Sequence, residues 1–115
     1  MNWARVQDLR REVGEDAFSE VVALFLEETE SVAQTLRAPS PATPLTPGDL
    51  EDLMHFLKGA ALNLGFDELA RLCQTAEVDA RTGTSAEIDI TPILNAYDQS
   101  KSDLLAGLPR LGAVA

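Results

Sequence analysis

Met54-His55-Phe56-Leu57-Lys58-Gly59-Ala60-Ala61-Leu62-Asn63-Leu64-Gly65 is the stretch around which the chain is organised. The helix it belongs to carries Leu50, Leu53, Leu57, Ala61 and Leu64 at offsets of three and four, the spacing of one face of an α-helix. With about 100° of rotation per residue, that stripe centres roughly 160° away from His55. The single histidine of the chain is therefore expected to point outward. Lys58, Gly59 and Leu62, at +3, +4 and +7, share its side. One exposed face thus combines an imidazole, a cation, a missing side chain and a leucine.

The flanks of this helix carry their own signals. Thr46-Pro47-Gly48-Asp49 opens it, with Thr46 as N-cap, Pro47 at the first helical position and Asp49 at the positive helix end. Gly65, in a left-handed conformation, is expected to close it. Upstream, residues 38–47 form a Pro-rich connector containing Pro39, Pro41, Pro44 and Pro47, through which helix cannot continue. Before the connector, a long helix from about Glu15 to Leu36 bears the stripe Phe18, Val22, Phe25, Thr29, Val32 and Leu36. A short first helix, capped by Asn2, carries Trp3, Val6, Leu9 and Val13 and is interrupted at Gly14. Downstream, Asp67 is expected to cap a fourth helix with Leu69, Leu72, Cys73, Ala76 and Ala80 inward. A loop at Thr82-Gly83-Thr84-Ser85 precedes a last helix started by Thr91-Pro92. Ile93, Leu94, Tyr97, Leu104 and Leu108 form its apolar side, and Pro109 is expected to end it.

No segment sustains strand alternation, and the short Ile88-Asp89-Ile90 run is too local to build a sheet. The expected fold is all-α: an up-and-down four-helix bundle with a short extra N-terminal helix, residues 1–115 forming one domain. The links between the last three helices are short, which favours antiparallel neighbours.

Composition narrows the function. Nineteen acidic against nine basic residues leave a formal charge of −10, which repels nucleic acid and anionic lipid. No apolar run reaches membrane-spanning length, and the N-terminus lacks a signal-peptide pattern. A cytoplasmic location and a monomer are expected, with no nucleic-acid or membrane partner. The single cysteine, Cys73, cannot form an internal disulfide. It lies on a core stripe, away from any His–Cys nucleophilic pair. There is no Gly-rich phosphate loop, and one histidine with one cysteine is a poor zinc donor set. A metal site using His55 with Glu51 and Asp52 is conceivable, but those carboxylates also fit a solvated acidic face.

The chemistry left is His55 as an exposed nucleophile. Neutral imidazole attacks phosphorus through the in-plane lone pair of a ring nitrogen. The product adds about two negative charges, which Lys58, one turn on, can offset. Gly59 leaves clearance for a phosphoryl donor, at about 1 kcal/mol of helix stability relative to alanine.

The run His55-Phe56-Leu57-Lys58-Gly59-Ala60-Ala61 followed by Gly65 resembles the motif of the histidine-containing phosphotransfer (HPt) domain of two-component phosphorelays. Ala60 and Ala61 stand where the family usually has serines. Leu9-Arg10-Arg11-Glu12-Val13-Gly14-Glu15-Asp16, with Phe18 and Phe25, is similar to the family's opening. The resemblance implies a four-helix bundle and a phosphorelay intermediate. It takes a phosphoryl group on His55 Nε2 from a receiver-domain aspartate and passes it to another receiver. The implied partners are the receiver domains of a hybrid histidine kinase and a response regulator. The implied protein is a phosphocarrier without autonomous kinase activity. It has no cofactor of its own, the Mg²⁺ of the transfer being held by the partner receiver.

Leu62 would belong to the docking surface. A polar residue on the next helix often orients Nδ1 in such domains, and Glu77 occupies the matching position. Glutamate there can accept Nδ1–H, yet it brings a negative charge toward an incoming anion, and a solvated helix charge is the competing reading. Gln74, one turn earlier, is a poorer candidate because it is expected to point farther from the shared core. Phe56 directly after the histidine, where kinase dimerisation helices carry an acidic residue, separates the chain from those helices. The alternative function is a non-catalytic helical adaptor that binds a receiver or response regulator through the same face.

Overall fold

The structure, a computed structural model, describes residues 1–38, 45–83 and 88–114, with side chains described up to residue 109. Among the described residues it is entirely helical: α1 (Trp3–Val13), α2 (Glu15–Arg37), α3 (Pro47–Asn63), α4 (Asp67–Arg81) and α5 (Thr91–Val114). The four longer helices form the bundle and α1 is the extra N-terminal helix. Residues 39–44 of the connector expected at 38–47, and Thr84 and Ser85 of the loop expected at 82–85, lie outside the described residues, and Ile88–Ile90 is not a strand.

The ends follow local chemistry. The Asn2 side chain accepts from the Arg5 amide and caps α1. Gly14, at φ 85°, turns the chain between α1 and α2. At α3, the Thr46 hydroxyl accepts from the Asp49 amide and the Asp49 carboxylate accepts from the Thr46 amide, a complete capping box ahead of Pro47.

Three expectations about helix ends are corrected. Asp67 does not cap α4: it lies inside the first turn, and Phe66 takes the cap position without a side-chain bond. The Asp67 carboxylate instead accepts from Asn2 Nδ2 at 3.0 Å. Thr91 is likewise inside α5, where the Asp89 carboxylate accepts its amide at 2.9 Å. Pro109 does not end α5, which continues to Val114. A proline removes one intrahelical donor, here the one that would face the carbonyl of the half-exposed Leu105, where water can substitute.

α3 and α4 pair most closely of all the helices, α5 covers α4, and α2 spans α3 and α5. The core comprises Val22, Val32, Leu36, Leu50, Met54, Leu57, Leu64, Phe66, Leu69, Cys73, Ile93, Tyr97 and Leu104, with smaller residues between them. Full burial of each large side chain contributes about 1.5–3 kcal/mol. The stripe on α3 is wider than its sequence spacing implies. Met54 is fully buried, Ala60 is buried, and Leu53 is only partly covered. The reason is that α1, α2 and α4 all pack against α3.

α2 and α5 are clamped by polar contacts. Tyr97 Oη donates to Glu30 at 2.8 Å and lies 3.4 Å from Thr29 Oγ1. Lys101 also reaches Glu30, and Arg37 reaches Asp98. α1 is held by Asn2, whose amide donates to the Gly65 carbonyl at 2.8 Å, and by Arg5, which donates to Asn63 at 2.9 Å. Its Trp3 ring lies over Gly107 of α5 so closely that a Cβ there would come within 2.2 Å of the indole.

Candidate functional site

Three cross-links fix the register of α3 against α4. Lys58 meets Gln74, His55 meets Glu77, and Glu51 meets Arg81. Numbers fall along one helix as they rise along the other, so the pair is antiparallel. The tight turn that allows this depends on Gly65, at φ 74°. A Cβ at Gly65 would stand 2.3 Å from the Asn2 carbonyl oxygen, so the same glycine also admits α1 against the turn.

His55 projects from the middle of α3 with its side chain 73% exposed. Its Nδ1 lies 3.1 and 3.2 Å from the two carboxylate oxygens of Glu77. An ionised carboxylate can only accept, so Nδ1 carries the proton. Nε2, the other ring nitrogen, keeps its lone pair and has no protein partner among the described residues. The glutamate is itself 3% exposed. A buried carboxylate is tolerated only when paired and hydrogen-bonded, and this one is. Lys58 Nζ donates to both of its oxygens at 3.1 Å and to Gln74 Oε1 at 2.8 Å. Arg81 stands 3.5 Å away while its Nε donates to Glu51 at 2.9 Å. The hydrogen bond from His55 leads in holding the Glu77 carboxyl below its ordinary value of 4.5; burial opposes it and Lys58 adds to it.

Gly59 lies one turn after His55, and a Cβ added there meets nothing within 4 Å. Close helix packing therefore does not account for this glycine. Leu62, in line with His55, is 51% exposed, and Phe56, about 100° round the helix from it, is 42% exposed. Cys73 is buried beneath the cluster, and burial pushes its thiol up to about 12, which keeps it protonated. Glu51 is engaged by Arg81 rather than by His55. A groove of about 420 Å³ is lined by Arg10, Glu15 and Ser19 and by apolar residues of α2 and α5, and includes no residue of this cluster. A nucleophile raised this far into solvent from a helix face suits a macromolecular co-substrate better than a small one.

The Hpt domain family model matches residues 20–113, which takes in α3, α4, most of α2 and nearly all of α5. The chain belongs to the Hpt domain family. Hpt domains serve phosphorelays by histidine phosphotransfer, as phosphocarriers working with receiver domains rather than as autonomous kinases. The match begins at Glu20, so α1 and the Leu9–Asp16 segment precede it. Comparisons with curated proteins and with solved structures returned no significant match. Among the described residues of this Hpt domain, no helix is long and apolar enough to cross a membrane.

His55, Lys58, Gly59 and Glu77 fall together in one cluster, and Leu62 lies on the outer side of the same helix. Gln74 lies farther from the core than Glu77, as expected from its position, and its exposed amide oxygen accepts from Lys58. Sequence reading passed over Phe56 as a surface residue, although its rotation of about 100° from His55 placed it beside Gly59. It also missed Arg81 and the tie of Glu51 to it. Their only sequence signal is the antiparallel register that places residues 51, 55 and 58 opposite 81, 77 and 74.

Proposed function

We propose that this Hpt domain is a phosphorelay intermediate whose phosphoacceptor is His55. Nε2 attacks the phosphoryl group of a receiver's aspartyl phosphate. The Nε2–P bond forms as the bond between phosphorus and the carboxylate oxygen breaks, and the electron pair returns to that carboxylate. The reverse step delivers the group to a second receiver. The observation that carries this reading is the exposed ring whose Nδ1 is engaged by Glu77, leaving Nε2 as the available nucleophile.

Glu77 orients the ring and selects its tautomer. Lys58 offsets the charge that Glu77 and the phosphoryl group bring together. Gly59 provides the clearance, while Leu62 and Phe56 supply apolar surface for docking around the reacting atom. The Mg²⁺ that assists the transfer belongs to the receiver.

The test uses a receiver carrying labelled phosphate on its aspartate. Label is expected to pass to wild type and not to His55→Gln. Label appearing on the His55→Gln protein at the wild-type rate would remove His55 from the mechanism.

A further inference from the structure

The contact between His55 and Glu77 has a chemical consequence for the phosphorylated state. The form of the ring that attacks is the neutral one, with its proton on Nδ1. Once Nε2 is bonded to phosphorus, a ring that still holds that proton is formally an imidazolium. Its positive charge then faces the Glu77 carboxylate at 3.1–3.2 Å. When such a ring gives up its phosphoryl group, the N–P electron pair returns to Nε2 and the leaving group is neutral imidazole. A phosphorylated ring that has lost the Nδ1 proton would have to leave as the imidazolate anion, a far poorer leaving group, or recapture a proton first.

We propose that Glu77 retains the Nδ1 proton through the whole phosphorylation cycle, so that His55 gains and loses phosphoryl groups without exchanging a proton and acts as a ready donor rather than as a phosphate store. This rests on the reading of His55 as the acceptor. Glu77 suits the task for two reasons. It engages the ring at Nδ1 and not at Nε2, and its charge is compensated by Lys58 at 3.1 Å and Arg81 at 3.5 Å. It can therefore stabilise the ring's positive charge without strongly repelling the phosphoryl group. The charged groups around this ring are Glu77, in contact with it, and Lys58 and Arg81, in contact with Glu77, while Glu51 and Asp52 lie one turn earlier on α3. Among the described contacts, α1, α2 and α5 add none.

An opposite charge in direct contact raises the affinity of a ring nitrogen for its proton by about 1–3 pH units. Glutamine at the same position can still accept the hydrogen bond but carries no charge. The experiment follows the Nδ1 titration of phosphorylated His55 by ³¹P NMR, and the loss of phosphoryl to water and to a receiver, between pH 5 and 10. The full chain is loaded with phosphoramidate, which needs no partner protein, or from a labelled receiver.

The wild-type midpoint is expected about 1–3 units above those of Glu77→Gln and of free Nε2-phosphohistidine. Above the higher midpoint, Glu77→Gln should donate more slowly, by about tenfold per unit of separation. Glu77→Asp, which keeps the charge, should recover part of the shift. A wild-type midpoint equal to that of free phosphohistidine would overturn the proposal without reference to any variant. So would equal midpoints for wild type and Glu77→Gln. Failure of both donors to label His55 in wild type would overturn the acceptor assignment itself, which distinguishes the two failures.

Discussion

Replacing Gly59 separates what the fold needs from what phosphotransfer needs. The residue sits in the interior of α3, where glycine is about 0.8–1.0 kcal/mol worse than alanine. A Cβ there meets nothing within 4 Å, so no clash offsets the gain. The Asn63 side chain bonds to the Gly59 carbonyl at 3.1 Å, a contact that depends on the backbone alone. Gly59→Ala is therefore expected to stabilise the protein by nearly 1 kcal/mol, raising Tm by about 3–6 °C for a chain of this size. Gly59→Gln should keep most of that gain, since glutamine is a good helix former. Its side chain, however, would stand one turn from His55 in the space a receiver must enter. A misplacement of the reacting atoms by 1 Å costs about a hundredfold in rate, so receiver-driven transfer to Gly59→Gln should fall by about that factor. Labelling by phosphoramidate, a small donor, should be nearly unchanged. Urea unfolding measures the first effect, and labelling from the two donors measures the second. A Gly59→Gln protein that accepts from a receiver at the wild-type rate would refute the clearance argument. A loss of stability in Gly59→Ala would refute the claim that the fold leaves this position free.

Two further substitutions probe the surroundings of the site. Gly65→Ala should destabilise by about 2–3 kcal/mol: about 1–2 for a left-handed backbone with a Cβ and about 1 for the amide of Asn2 displaced from the Gly65 carbonyl. Urea unfolding followed by Trp3 fluorescence would measure it, and a loss under 1 kcal/mol would mean that α1 is not held at this turn. Lys58→Met keeps the aliphatic stem of the side chain but strips the Glu77 carboxylate of its nearest cation. Transfer from a phosphorylated receiver should slow, and stability at neutral pH should fall by about 1–3 kcal/mol, below the 3–5 of a fully uncompensated buried charge because Arg81 and His55 remain. Unchanged transfer would leave Lys58 with a structural role only.

The fold was legible wherever the chain states its own geometry. The stripes of α2 and α4, the capping box at Thr46 and Asp49, and the turns at Gly14 and Gly65 are local features with local causes. What escaped depends on partners far along the chain. Asp67 has the composition of a cap, but Asn2, sixty-five positions away, claims its carboxylate. Nothing near Gly107 in the sequence announces the Trp3 ring that lies against it. Periodicity gives each residue an angle about its own helix and leaves open which neighbours cover that angle. Met54 was therefore missed as core, because three helices close over α3 instead of one. The same gap left Glu77 undecided between a solvated charge and a ring partner. Its rotation on α4 puts it at the edge of the core, and only the register set by the short turn at Gly65 decides whether it meets water or His55. With that register, the buried carboxylate has a histidine on one side and two cations on the other. Its burial and its charge are then one requirement: a carboxylate held in place by this many partners can face an imidazolium closely enough to keep its proton.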